Sequence, residues 1–174
     1  MAGVIPKRKI GVVVRLSSGE ERRGSVFLDY IDVIHRGEQT LLDKFNDDYV
    51  WFPFLPADRA GVEIVNRDLV TQVEPGEGVP SELVCRENSP VFRREFVTIA
   101  LVDGRRVEGR IAMDLPDEFS RVSDFLNFPQ NFFGVETAGG PILISKRHVR
   151  SLVPHEKPPA LPDSATEPVG ERAL

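Results

Sequence analysis

The chain has 174 residues, with 22 Lys and Arg against 27 Asp and Glu and a formal net charge of −5, and its 41% hydrophobic and 28% charged content is that of a globular rather than a disordered chain. No apolar run approaches the roughly 18–20 residues that cross a bilayer, and the basic residues of MAGVIPKRKIG are not followed by the apolar stretch of a secretory signal. The single cysteine, Cys85, makes no internal disulfide, so a cytoplasmic protein without membrane contact is expected.

In chain order, Val12, Val14 and Leu16 alternate with other residues, the period-2 pattern of a half-buried strand. Ser17-Ser18-Gly19-Glu20 supplies a turn in which Gly19 takes the positive φ. The next strand, Glu21–Leu28, carries Gly24 at its centre, where glycine weakens a strand unless it marks a bend. Strong bends let a short sheet close into a small barrel. Gln39–Asn46 lacks alternation and predicts one or two helical turns, and an aromatic loop with Tyr49, Trp51, Phe52 and Phe54 follows. Ala60-Gly61 turns the chain into strands Val62–Val65 and Leu69–Val73, the second stopped by Pro75. Glu74–Asn88, with Pro75, Gly76, Gly78 and Pro80, reads as a linker in which Ser81–Arg86 forms a short helix or a covering strand.

The same order then recurs. Val12/Val97, Val14/Ile99, Leu16/Leu101, Gly19/Gly104, Gly24/Gly109, Val26/Ile111, Leu28/Met113 and Asp29/Asp114 share one offset of 85 without a gap. Leu42-Asp43-Lys44-Phe45-Asn46 matches Ser123-Asp124-Phe125-Leu126-Asn127, and Trp51-Phe52-Pro53-Phe54 matches Phe132-Phe133-Gly134-Val135. Ile64–Val73 matches Ile144–Val153 at an offset of 80, so the second copy is shorter in its central loops. A duplication is expected: repeat one at 7–74, a linker at 75–95, repeat two at 96–154, and a proline-rich disordered tail at 155–174.

Val97–Ile111 resembles the first motif of Sm-like proteins, the family of the bacterial RNA chaperone Hfq: an alternating strand, a glycine turn, and a bent strand with a central glycine and a nearby aspartate. Ser145–Pro154 resembles the closing strands, and Val12–Asp29 with Asn66–Val73 repeats the outline. The resemblance implies an all-β fold of two tandem, strongly bent five-stranded small barrels, each with a helical-turn insertion. It also implies assembly into rings by edge-strand pairing, and RNA as a ligand in many members. The Tyr-Lys-His stretch that Hfq uses near its RNA pore reads Ser145-Lys146-Arg147 here, and Val65-Asn66-Arg67 in the first copy, without the aromatic or the histidine. Arg121-Val-Ser-Asp-Phe-Leu-Asn127 is also similar to the hallmark of a bacterial family that brings no established activity.

No catalytic or metal-binding residues and no cofactor are expected. His35, His148 and His155 lack partners at metal spacing. The carboxylates Asp43, Asp47, Asp48 and Asp114, Asp117, Glu118 do not follow a calcium-loop pattern and read as turns and helix caps. Arg93-Arg94 resembles the arginine pair that opens cyclic-dinucleotide-binding PilZ domains, but the downstream Asp/Asn-x-Ser-x-x-Gly element is absent. Two surfaces remain. Trp51, Phe52, Phe54, Phe125, Phe132 and Phe133 are the expected anchors of a protein interface, with a protein partner or self-association as homo-oligomer. Arg105, Arg106, Lys146 and Arg147 are the expected contacts of the alternative, an RNA- or nucleotide-binding protein. Acidic residues Asp47, Asp48 and Asp58 flank the first aromatic cluster and disfavour base stacking there. The leading expectation is a non-catalytic protein-interaction or assembly module, with Gly19, Gly24, Gly104 and Gly109 as structural residues.

Overall fold

Alternating apolar residues separated by glycine turns pair as antiparallel hairpins, and ten such strands make up most of the computed structural model, which describes residues 6–30, 37–86, 93–116, 118 and 121–156. The expectations for His35, Asp117, Phe119 and the tail beyond Glu156 lie outside the described residues. The first half contains β1 (Lys7–Leu16), β2 (Glu21–Asp29), α1 (Leu41–Phe45), β3 (Trp51–Pro56), β4 (Glu63–Asn66), a 3-10 turn (Arg67–Leu69) and β5 (Val70–Pro75). The second contains β6 (Arg93–Leu101), β7 (Arg106–Met113), α2 (Val122–Asn127), β8 (Phe132–Thr137), β9 (Gly140–Ser145), a 3-10 turn (Lys146–His148) and β10 (Val149–His155).

All ten strands belong to one antiparallel sheet in the order β10-β6-β7-β8-β9-β5-β1-β2-β3-β4. Each half therefore follows one internal order, and β5 of the first joins β9 of the second through Gln72↔Ile144 and Val73↔Leu143. This corrects the expectation of closed barrels. The outer edge of β5 is taken by the other half, so neither half closes on itself, and β10 and β4 end the sheet. β2 holds β3 only at Gly24↔Pro56 and Ser25↔Leu55, and β7 holds β8 only at Arg110↔Glu136.

Other expectations shift in detail. Of the aromatics placed in a loop, Trp51, Phe52 and Phe54 lie on β3 instead, and their matches Phe132 and Phe133 lie on β8. Val65 pairs opposite Phe52 and Ile144 opposite Phe133, so Val65, not Ile64, corresponds to Ile144. The closing strands are offset by 79 rather than 80, and the first-copy counterpart of Ser145-Lys146-Arg147 is Asn66-Arg67-Asp68. A one-residue slip matters in a strand because it exchanges the two faces. The segment read as a linker is a strap: Leu83 and Val84 are buried in the first core, and Leu42 N–H donates to the Val84 carbonyl at 3.0 Å. His155, placed at the start of the tail, is the last residue of β10, with its Nε2 2.8 Å from Thr98 Oγ1.

Two cores flank the join. One is built from Val12, Val14, Val26, Leu28, Phe45, Phe52 and Phe54 of the first half; the other from Val97, Ile99, Leu101, Ile111, Phe125, Phe133 and Ile144 of the second. Phe132 and Leu143 belong to the second half in sequence but are buried in the first core.

Candidate functional site

The join between the halves combines strand pairing of β5 with β9 and side-chain hydrogen bonds, and α1 builds much of it. Thr40 and Asp43 form a reciprocal capping box: Asp43 N–H donates to Thr40 Oγ1 at 3.1 Å, and Thr40 N–H donates to Asp43 Oδ2 at 2.9 Å. Such a box satisfies two orphan donors and lets a five-residue helix persist. Asn46, immediately after it, reaches across to the second half. Its Oδ1 accepts from Asn131 N–H at 2.9 Å and Phe132 N–H at 2.8 Å, while its Nδ2 donates to the Phe132 carbonyl at 3.0 Å. The Phe45 and Phe132 ring centroids are 5.2 Å apart, within the range for favourable aromatic pairs.

Polar groups complete the seam. Arg105, in the β6–β7 turn, donates to Gln72 Oε1 at 2.9 Å and Thr71 Oγ1 at 3.2 Å, both on β5. Its Nε also donates to Asp103 at 2.8 Å. Burial raises the Asp103 pKa, but the hydrogen bonds and charge of Arg105 outweigh it and hold the carboxyl below its ordinary value. Arg147 pairs with Asp68 at 2.6 Å, joining the two 3-10 turns.

The outer ends of the sheet carry the counterparts of these residues without the cover. Trp51 corresponds in strand pairing to Phe132, and Ile64 to Leu143. Phe132 is 1% exposed and Leu143 0%, whereas Trp51 is 59% exposed and Ile64 63%. Of the six aromatics expected at an interface, Trp51 alone lies on the surface. Phe52, Phe54, Phe125 and Phe133 fill their own half's core, and Phe132 is spent on the internal join.

The basic residues expected to hold RNA do not gather on one face. Arg105 and Arg147 are held by the first half, as above. Lys146 Nζ donates to the Phe125 and Phe128 carbonyls at 2.8 and 2.9 Å and caps the end of α2. Burial, against the raising influence of Asp114, lowers its pKa to about 8. Arg106 is exposed.

A cleft of about 650 Å³ lies between the strap and β7–β8. Its Arg86, Arg94 and Arg110 are balanced by Asp43, Asp114 and Glu136, with Arg86 on Asp43 at 2.9 Å. Cys85, on its wall, has its thiol pushed up to about 12, by burial first and then by Asp43, which favours the protonated thiol at neutral pH. His148 is buried, with Nδ1 3.1 Å from Ser145 Oγ. Among the described residues no three His, Cys, Asp or Glu side chains are grouped to hold a metal. No described helix is long and apolar enough to cross a membrane.

Sequence reasoning missed Ile64, Asn46 and Asn127. The two asparagines stand at matched positions in the sequence, Asn46 just after α1 and Asn127 at the end of α2, and only the fold reveals that the first reaches the other half. No protein-family model, curated protein or solved structure matches the chain.

Proposed function

We propose that the chain is a non-catalytic assembly module, two tandem Sm-like repeats that self-associate through the exposed end of the sheet at β3 and β4. One observation carries this reading: Trp51 and Ile64 stand in solvent at positions whose counterparts, Phe132 and Leu143, are sealed in a neighbouring core. β3 also has the composition of a strand covered on both sides, Trp-Phe-Pro-Phe-Leu-Pro. An exposed strand edge bearing large apolar groups is a template for pairing with another chain. Covering two such side chains is worth roughly 1.5–3 kcal/mol each. RNA binding has less support, because three of the four expected basic contacts are engaged with protein groups.

The test is sedimentation velocity over a range of concentrations. The chain is expected to associate, and Trp51→Ala and Ile64→Lys to weaken association by about tenfold or more while leaving the melting temperature of the monomer unchanged, since both side chains are exposed. A chain that stays monomeric at every concentration overturns the reading, as does association unaffected by both substitutions.

A further inference from the structure

Resting on the self-association just proposed, we infer that what covers Trp51 and Ile64 is the opposite end of a second copy of this chain, the α2–β10 end, joined head to tail by a copy of the internal seam. The internal seam has a donor side, β8–β9, and an acceptor side, α1–β5. The donor side has its counterpart in β3–β4, and the acceptor side in α2–β10, which ends the sheet.

The acceptor end is equipped for the task. Asn127, matched to Asn46 in sequence, is the last residue of α2, where Asn46 is the residue just after α1, and it is exposed. In a second seam it would clasp the backbone of Trp51 as Asn46 clasps that of Phe132. Leu126, matched to Phe45 in sequence, is only partly buried, while Phe125 makes with Phe133 the edge contact that Phe45 makes with Phe52.

Charges select the same partner. Internally, Arg105 crosses to Thr71 and Gln72. Arg105 corresponds to Glu20 and Thr71 to Arg150, so the second seam sets an exposed acid against an exposed base. The exchange has changed both residues and kept them compatible. Arg147 and Asp68, paired internally, are each other's counterparts. A second copy thus presents its Asp68 to the Arg147 of the first, and the two signs alternate from copy to copy. Opposite charges in register favour this partner, and like charges would have excluded it.

The contact is heterologous: the surfaces that meet are different, so each copy keeps one free donor and one free acceptor end. Such contacts build closed rings or open filaments and do not stop at a dimer.

The experiment uses the full chain and sedimentation velocity, with circular dichroism to confirm folding of each variant. Asn127→Ala is expected to weaken self-association about tenfold. Glu20→Arg and Arg150→Glu should each weaken it, and the chain carrying both should regain it, a rescue that general misfolding does not give. Ile64→Lys disables the donor end; Asn127→Ala with Arg150→Glu disables the acceptor end. Each of these two chains alone should remain monomeric, and an equimolar mixture should form a capped dimer and nothing larger. Association abolished by Ile64→Lys but indifferent to Asn127, Glu20 and Arg150 overturns the head-to-tail seam while leaving the assembly reading intact. A mixture of the two disabled chains that stays monomeric also overturns the seam. A wild-type chain that never associates overturns both.

Discussion

Gly109 shows why a single methylene decides the path of a strand here. A Cβ at this position would lie 2.5 Å from the Glu136 carbonyl oxygen and 2.7 Å from Val135 Cγ1. Gly24 is in the same position, with the Leu55 carbonyl oxygen at 2.3 Å. Neither glycine has a positive φ, so space, not conformational freedom, is what glycine supplies. Gly109→Val is expected to cost about 1–3 kcal/mol in a denaturant titration, because the obstacle is backbone and cannot rotate away. An unchanged midpoint would show that β8 moves aside freely. Cys85 is the second case. Its thiol ionises only near pH 12 in the fold, against 9.0 ordinarily. At about pH 8 a thiol-specific reagent should label the denatured chain far faster than the native one. Above about pH 9 the unfolded thiol loses its proton first, so this group lowers stability as pH rises toward 12.

At the level of elements, the short helices and 3-10 turns serve as latches as well as packing units. Arg67 and Lys146, at matching positions of the two 3-10 turns, both donate to carbonyls of the preceding insertion: Arg67 to Asp47, and Lys146 to Phe125 and Phe128. Asn46 latches α1 to β8 with three hydrogen bonds. Asn46→Ala removes them together and leaves backbone groups of Asn131 and Phe132 unpaired at the seam. The expected loss is about 1–3 kcal/mol, read from the urea midpoint. The 3-10 turn before β10 also sets a pH response. Burial first, then the Arg147 charge, lowers the His148 pKa below 6.5, against the opposing pull of Asp68 and Asp103. As pH falls below 6.5 the unfolded chain takes up a proton that the folded chain refuses, so stability falls. Unfolding free energies at about pH 7.5 and pH 5.5 should differ, and His148→Asn should shrink the difference. A difference that survives the substitution assigns it to other groups.

For the molecule as a whole, the two halves have one order but are not independent. Phe132 and Leu143 complete the core of the first half, and Leu83 and Val84 of the strap pack in that core as well. A fragment ending near Arg86 would keep the strap and lose the two side chains from β8 and β9. It should therefore be much less stable than the full chain, since truncating a single buried phenylalanine alone costs about 3–5 kcal/mol. Phe132→Ala in the full chain should lower stability by that amount, whereas Trp51→Ala should leave the monomer's stability within about 0.5 kcal/mol. The contrast between two matched aromatics, measured in one denaturation series, reports directly which sheet end is covered and which is not.

Strand alternation, turn glycines and helical breaks are local properties, and the sequence by itself determined them. The hairpins at Gly19 and Gly104, the helical turns at 41–45 and 122–127, and the recurrence of one order were all legible from residue spacing. The aromatic strands were not. Phe132 faces one core and Phe133 the other, as do Leu143 and Ile144, and a strand buried on both faces shows no alternation to read. Only the tertiary structure decided that β5 pairs with β9 instead of closing its own half, because strand-edge hydrogen bonding is the same for any partner and carries no sequence label. That one choice buries Phe132 and leaves its counterpart Trp51 in solvent.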